Sequence, residues 1–330
     1  MPNRILGSLV ICALLLFGAS HAAAQTDPLP SWNDGERKTA IVDFVTSVTE
    51  QDGADFVEPT ARIATFDNDG TLWVEAPLYT QVMFAFDRVK AMAPDHPEWK
   101  DDPVLKAVLD GDMKAVGASG KEGVVEILMK THAGMTTDEF ADIVSDWIST
   151  AEHPKLNRKY TDLTYQPMKE LILYLQDNGF KTFIVSGGGV EFMRPWAPDA
   201  YNIPPEQIIG SSIVTEFQMK DGKPVLVRQP KVFFIDDKEG KAIGIQKFIG
   251  RRPIASFGNA DADIPMLQWT IAGDGARLGM LVHHTDADRE FAYDRKSTVG
   301  MLDKGIDDAQ QGGWHLIDMK TDWSSVFAPE

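Results

Sequence analysis

A chain of 330 residues has room for one large or two modest domains, and for a core that needs no disulfide framework to hold it. Its one cysteine, Cys12, lies in the first segment, so once that segment is set aside thiolate catalysis, thiolate metal sites and disulfides are excluded. With 49 acidic against 32 basic residues the formal charge is -17, a surface that repels phosphate backbones and argues against a nucleic-acid partner.

Residues 1–24 read as a secretory signal peptide. Arg4 precedes the apolar run Leu9 to Phe17, and Ala22-Ala23-Ala24 before Gln25 carries the small-x-small pattern of a cleavage site. Ile11 before Cys12 is not the small residue of a lipoprotein site. The apolar run is short of the roughly 20 residues a spanning helix needs, and no later stretch reaches that length. The expectation is therefore an exported protein, periplasmic or secreted, cleaved after Ala24 and without stable membrane association afterwards. Loss of Arg4 leaves 31 basic residues against 49 acidic, a formal charge of -18.

Residues 25–60 form an N-terminal helical segment: Pro28 and Pro30 open it, and from Asp34 to Glu50 the residues Ile41, Val42, Phe44, Val45 and Val48 share one helical side. Residues 61–66 read as a short buried strand that stops at Asp67-Asn68-Asp69-Gly70-Thr71. Residues 77–164 are helical in pattern and punctuated by Pro94, Pro97, Pro103, Gly111 and Gly134, as an inserted helical unit. Alternation then resumes with a helix from Met168 to Asn178, a stop at Gly179, and a strand from Lys181 to Val185 that runs into Ser186-Gly187-Gly188-Gly189. Asp221-Gly222 signals a β-hairpin. A helix from Gly240 to Ile249, a strand from Ile254 to Phe257 opening on Gly258-Asn259-Ala260-Asp261-Ala262-Asp263, and a strand from Arg277 to Val282 complete the pattern. The tail from Gly312, with Trp314, Trp323 and Phe327, is expected to pack back onto the core.

This order predicts an α/β fold, a Rossmann-like mostly parallel sheet with helices on both faces, with residues 61–76 and 165–330 as the core. Ligands of such sheets gather outside the carboxyl ends of the strands, where all three Asp- or Gly-rich segments lie. Asp67 and Asp69 leave one strand end two residues apart and can serve one site in different roles. Ser186 and the amides of Gly187 and Gly188 can hold a phosphate. Asn259, Asp261 and Asp263 offer oxygen ligands of the hard type that suits magnesium. Lys238 and Lys241, at the start of the helix before this segment, can reach a phosphate as a point charge.

Together these four segments resemble the ordered motifs of the haloacid-dehalogenase-like superfamily, in particular its phosphoserine-phosphatase-like branch. Phe66-Asp67-Asn68-Asp69-Gly70-Thr71-Leu72 is similar to the first motif, Ile184-Val185-Ser186-Gly187-Gly188 to the second, and Lys241 to the third, with Lys238 as the fallback. The fourth motif usually reads Gly-Asp-x-x-x-Asp, and here Asn259 replaces the first acid, while Asp263 keeps the second position and Asp261 is an additional acid. The resemblance covers residues 61–76 and 165–290.

It implies a magnesium-dependent phosphatase acting on small phosphorylated substrates through a phosphoaspartyl intermediate. Asp67 is then the nucleophile and Asp69 the general acid and base; Ser186, Gly187, Gly188 and Lys241 bind phosphate; Asp67, Asp69, Asn259 and Asp263 attend Mg2+. Residues 77–164 resemble the branch's helical cap, with Phe84, Phe86, Trp99, Met129 and Trp147 on its apolar faces. His132 is read as a capping or surface histidine, with a place facing substrate as the alternative, and of His283 and His284, adjacent on a strand end, only one can face the site. A dehalogenase, a pyrophosphatase, a phosphotransferase and a non-catalytic binder of phosphate ligands share this framework and stay open, as do the substrate and the oligomeric state.

Overall fold

The computed structural model describes residues 27–329, so the expected signal peptide lies outside the described residues. Helix α1 (Glu36–Thr49) leads to strand β1 (Ile63–Phe66). A run of helices follows before the second strand, beginning with α2 (Thr80–Met92), α3 (Pro103–Asp110), α4 (Met113–Ala118), α5 (Gly120–His132) and α6 (Thr137–Thr150). Then come α7 (Gln166–Asp177), β2 (Lys181–Gly189), α8 (Val190–Met193), α9 (Ala197–Tyr201), β3 (Ile208–Lys220) and β4 (Lys223–Phe234). Next come α10 (Glu239–Gly244), β5 (Ala255–Gly258), α11 (Ile264–Ile271), β6 (Leu278–His283), α12 (Lys304–Gln310), β7 (His315–Asp318) and the short helix α13 (Met319–Asp322).

The seven strands form one sheet in the order β4-β3-β2-β1-β5-β6-β7, parallel throughout except for the antiparallel β3–β4 pair. The mostly parallel α/β expectation holds. Strand β7 is a finding the sequence reading did not contain: the tail beyond Gly312 adds an edge strand to β6 before Trp323 packs edge-on against Trp32.

Successive residues of a strand face opposite sides, so a sheet covered on both faces needs apolar residues at every position. Ala64, Phe66, Ile184, Phe257, Met280 and Val282 enter one apolar cluster, and Ile63, Phe183, Val185 and Leu281 enter the other. Phe66 and Phe257 stack across neighbouring strands at 4.7 Å, a contact worth about 1 kcal/mol beyond its buried area.

The helices between β1 and β2 begin and end where the sequence supplies caps. The Asp102 side chain accepts the amides of Val104 and Leu105 at the start of α3, Pro103 fills its first turn, and Gly111 takes the left-handed conformation past its end. Thr136 and Glu139 form a reciprocal capping box on α6. Phe86, Val89, Trp99, Leu105 and Ile127 make a separate apolar cluster, while Phe84, Phe140, Val144 and Ile148 pack into the cluster on the sheet.

The hairpin turn at Asp221 and Gly222 puts both residues at positive φ, as a two-residue turn requires, but the arms run much further than the turn signal shows. The hairpin reaches the loop after α5: Gly134 N donates to Arg228 O and Arg228 N donates to Met135 O, each at 2.9 Å. Among the described residues no helix is long and apolar enough to cross a membrane.

Candidate active site

Parallel register brings three segments to one edge. Phe66 pairs with Ile184 on one side and Phe257 on the other, so Asp67, Ser186 and Asn259 all emerge within two residues of the same row. Asp67 N donates to Phe257 O at 2.9 Å, the last hydrogen bond before the strands part.

Lys241, from α10, is buried and lies between two acids: Nζ donates to Asp67 Oδ1 at 2.6 Å and to Asp263 Oδ1 at 2.5 Å. Burial disfavours its charge, yet the neighbouring anions of Asp263 and Asp67 outweigh this and hold the ammonium above its ordinary pKa. Burial raises Asp67, and the charge of Asp263 adds to this, while Lys241 pulls it back. Lys238 is exposed.

Asp263 is fully buried and fully engaged. Its second oxygen accepts the amides of Asn259 at 2.9 Å and Ala260 at 3.0 Å, so the carboxylate braces the turn as well as the lysine. Asp261 has a different use from the expected one. Its carboxylate caps α12, accepting the amides of Asp303, Lys304 and Gly305, and it is therefore no spare ligand.

Asp69 is oriented by a residue the sequence reading missed. Trp73 Nε1 donates to Asp69 Oδ1 at 2.9 Å, and the indole is fixed by stacking on Trp196 at 4.1 Å. Close packing raises the Asp69 pKa, with the Trp73 bond, Lys241 and Asn68 acting against it. The other oxygen, Oδ2, faces the glycine loop. A β-carbon placed on Gly188 would lie 3.4 Å from Ser186 Oγ, 3.5 Å from Asp69 Oδ2 and 3.6 Å from Gln81 Oε1, which marks a small polar hollow that the absent side chain leaves open.

The amides of Gly187, Gly188 and Gly189, the last residues of β2, are not all open to a phosphate. Gly188 N donates to Ser186 Oγ at 3.1 Å, and Gly189 N donates to Gln81 Oε1 at 2.7 Å. The first bond fixes the serine oxygen as an acceptor and leaves its proton to be given elsewhere. Gln81, on α2, was missed because no local pattern marks it.

His132 is corrected from surface to core. It is buried among Phe84 and Phe140, Nδ1 meets Thr131 Oγ1 at 2.7 Å, and burial, with Arg228 and Arg88 nearby, holds it well below its ordinary pKa and neutral. His283 and His284 do divide: His284 Nε2 meets Gly70 O at 2.8 Å under the first motif, and His283 approaches Asp294.

One further acid, also unforeseen, borders the site. Glu75 is buried; Asn259 Nδ2 donates to its Oε1 at 2.6 Å and Tyr293 OH donates to the same oxygen at 2.9 Å. Burial, then the charge of Asp69, raises its pKa well above the usual range.

Asp67 and Asp263 share Lys241, and Asp69 and Glu75 lie near enough to Asp67 for their charges to act on one another, an excess of acid over base that a cation would relieve. Among the described residues no three Asp, Glu, His or Cys side chains are gathered to hold a metal ion. A cation here would take few carboxylates, with an amide and backbone oxygens beside them. That all-oxygen, sparsely protein-bound set fits magnesium.

A comparison with curated proteins finds no match. Among solved structures, a conserved functionally unknown protein from Anaerococcus prevotii DSM 20548 is similar at 16% identity over 83% of this chain and 88% of that chain, with a TM-score of 0.54. A protein with unknown function from Bordetella pertussis Tohama I is similar at 15% identity over 78% and 98%, with a TM-score of 0.48. A phosphoserine phosphohydrolase-like protein from Francisella tularensis subsp. tularensis SCHU S4 is similar at 18% identity over 67% and 87%, with a TM-score of 0.39. The first shows a shared fold; the two lower scores carry no argument here. A family model described as haloacid dehalogenase-like hydrolase matches residues 64–268.

Proposed function

Because the chain belongs to the haloacid dehalogenase-like hydrolases, we propose that it is an exported magnesium-dependent phosphatase that hydrolyses small phosphate monoesters through a phosphoaspartyl intermediate on Asp67. The observation that carries this reading is the contact of Lys241 with both Asp67 and Asp263, beside an Asp69 oriented by Trp73.

In this reading a carboxylate oxygen of Asp67 attacks phosphorus in line with the ester oxygen. The bond from phosphorus to that oxygen breaks as Asp69 gives it a proton, so the alcohol leaves neutral and Asp67 carries the phosphoryl group. Water then attacks phosphorus, Asp69 takes its proton, and the bond to Asp67 breaks to release inorganic phosphate. The packing that raises the Asp69 pKa suits a group that must hold a proton before the first step and accept one in the second.

Lys241 stays charged and, with the Ser186 hydroxyl and the loop backbone at Gly187, draws charge from the phosphoryl oxygens. The Asp67 carboxylate, the Asp69 carbonyl and the Asn259 amide oxygen would hold magnesium; Asp263, expected among the ligands, has both oxygens engaged and in this reading braces Lys241 and the turn instead. When bound, magnesium neutralises phosphoryl oxygen charge. Export rests on Arg4, the apolar run and Ala22-Ala23-Ala24, and the acidic balance leaves nucleic acid aside.

The test is turnover of a panel of small phosphate esters by the chain from Gln25 onward. Activity is expected in magnesium, is lost in chelator and returns when magnesium is added back. Full activity in excess chelator after exhaustive dialysis would overturn the metal; no turnover of any ester would overturn the phosphatase.

A further inference from the structure

Asn259 is neutral, yet it is not isolated from charge. Its Nδ2 donates to Glu75 Oε1 at 2.6 Å, and its Oδ1 accepts from Thr71 Oγ1 at 3.1 Å. Both partners belong to the segment that follows the nucleophile, and all three side chains are buried. The pair lies directly under the first motif: a β-carbon on Gly70 would come within 2.1 Å of Asn259 Nδ2 and 2.3 Å of Glu75 Oε1, and Gly70 is at positive φ. Glu75 is itself anchored by Tyr293 OH at 2.9 Å, and Tyr293 stacks on His284 at 4.3 Å, the histidine that meets Gly70 O.

This arrangement has a chemical consequence for the amide oxygen. An amide that donates through its nitrogen to a carboxylate becomes more negative at oxygen, because the two ends are conjugated. Groups that hydrogen-bond a ligand from behind orient it and raise its donor strength. A carboxylate at position 259 would bring two acids to the 2.6 Å that the N–H now spans, with no donor between them.

Resting on the magnesium reading above, we infer that Glu75 is a positioning residue of the metal site: accepting from Asn259 Nδ2, it fixes the amide oxygen toward the cation, and in the magnesium-bound chain, where the cation offsets its burial, its charge reaches the metal through that amide. Acid and amide form a reciprocal pair, so the charge can be carried at either position but not at both or neither.

Magnesium affinity by isothermal titration calorimetry, paired with thermal unfolding in chelator, tests this on the chain from Gln25 onward. Glu75→Gln keeps an oxygen able to accept from both Asn259 and Tyr293 but removes the charge. It is expected to weaken magnesium binding on the order of 10-fold while leaving the unfolding temperature in chelator the same or higher. Asn259→Asp is expected to lower that temperature and to enlarge the rise that magnesium gives, since the cation separates two adjoining anions. The double variant Glu75→Gln with Asn259→Asp reverses the pair and is expected to recover affinity to within about threefold of wild type, with the chelator unfolding temperature restored.

Wild-type magnesium affinity in Glu75→Gln, or a double variant bound no better than Glu75→Gln alone, would overturn the inference while leaving the phosphatase reading intact. A loss of stability in chelator with unchanged affinity would make Glu75 structural only, and would equally overturn it. Absence of magnesium binding by the wild-type chain would instead remove the metal reading, and this inference with it. Should Glu75→Gln fail to fold, the double variant decides: affinity within threefold of wild type supports the pair, and a tenfold loss rejects it.

Discussion

Lys241 Nζ lies 2.6 Å from Asp67 Oδ1, a buried cation in contact with the proposed nucleophile. Removing one partner of a buried ion pair leaves the other charge unpaired, which costs about 3–5 kcal/mol. Here the loss is doubled in kind, because Asp263 depends on the same ammonium. Lys241→Gln is expected to lower stability by about 3 kcal/mol in urea unfolding at neutral pH and to reduce turnover at least about 10³-fold. Turnover within tenfold of wild type would separate the lysine from the reaction.

Asp67 and Asp69 are asked for different things. Asp67→Asn removes the attacking oxygen anion and is expected to abolish both turnover and any phosphorylated peptide. Asp69→Asn removes the proton, so its penalty follows the leaving group: roughly 10²-fold or more for an alkyl phosphate and much less for the phosphorylation step of an aryl phosphate. Single-turnover kinetics with both ester classes, followed by mass mapping, reads this directly. Equal penalties would argue against Asp69 as the acid, and modification away from Asp67 would displace the nucleophile.

Trp73→Phe keeps an aromatic ring against Trp196 and deletes the N–H that reaches Asp69. The expected result is a loss of about 10-fold in kcat for alkyl esters, smaller than that of Asp69→Asn and with the same leaving-group dependence. A change confined to KM would point to packing rather than to orientation of the acid.

Asp236, buried near Lys241, has its carboxyl pushed up by burial to about 7 from an unfolded value near 3.8. The folded chain therefore holds a proton there that the unfolded chain releases. This contribution is whole below pH 3.8 and is lost as the pH rises towards 7. Its size is bounded at about 4 kcal/mol, since one unit corresponds to about 1.4 kcal/mol. Denaturant unfolding between pH 4 and 8 is expected to show a fall in stability that Asp236→Asn flattens. Parallel curves for the two proteins would remove the assignment.

Cleavage after Ala24 is expected on export, from the Arg4, apolar run and alanine pattern. N-terminal sequencing of the exported protein should begin at Gln25, and a sequence beginning at Met1 would reject the signal peptide.

Asp67 and Asn259 are legible because each lies just past a short apolar strand, and Ser186 because it opens the glycine run of β2, where the sequence itself changes abruptly from buried apolar to polar or glycine. Asp67, Ser186 and Asn259 needed no more than parallel register to meet. Trp73, Gln81 and Glu75 were not legible, since they read as core or helix residues until the chain between β1 and α2 folds back over the strand ends. Asp261 misled for the opposite reason. An acid in a ligand-rich segment looks like a ligand, and the amides it serves lie more than forty residues further on. A lone histidine at a helix end ordinarily reads as a surface group; at His132 a cage of Phe84, Phe140 and Arg228 reverses this.

The two-bond ladder between Arg228 and the loop at Gly134 and Met135 ties the hairpin to the turn joining α5 and α6. A swing of α5 and α6 would either carry the hairpin along or break both bonds in the same event. The amides of Gly134 and Arg228 are therefore expected to report such a swing as a pair. Their hydrogen exchange is expected to slow together when phosphate occupies the site, and at the same rate, whereas exchange that slows at one and not the other would mean that the helices and the hairpin move independently.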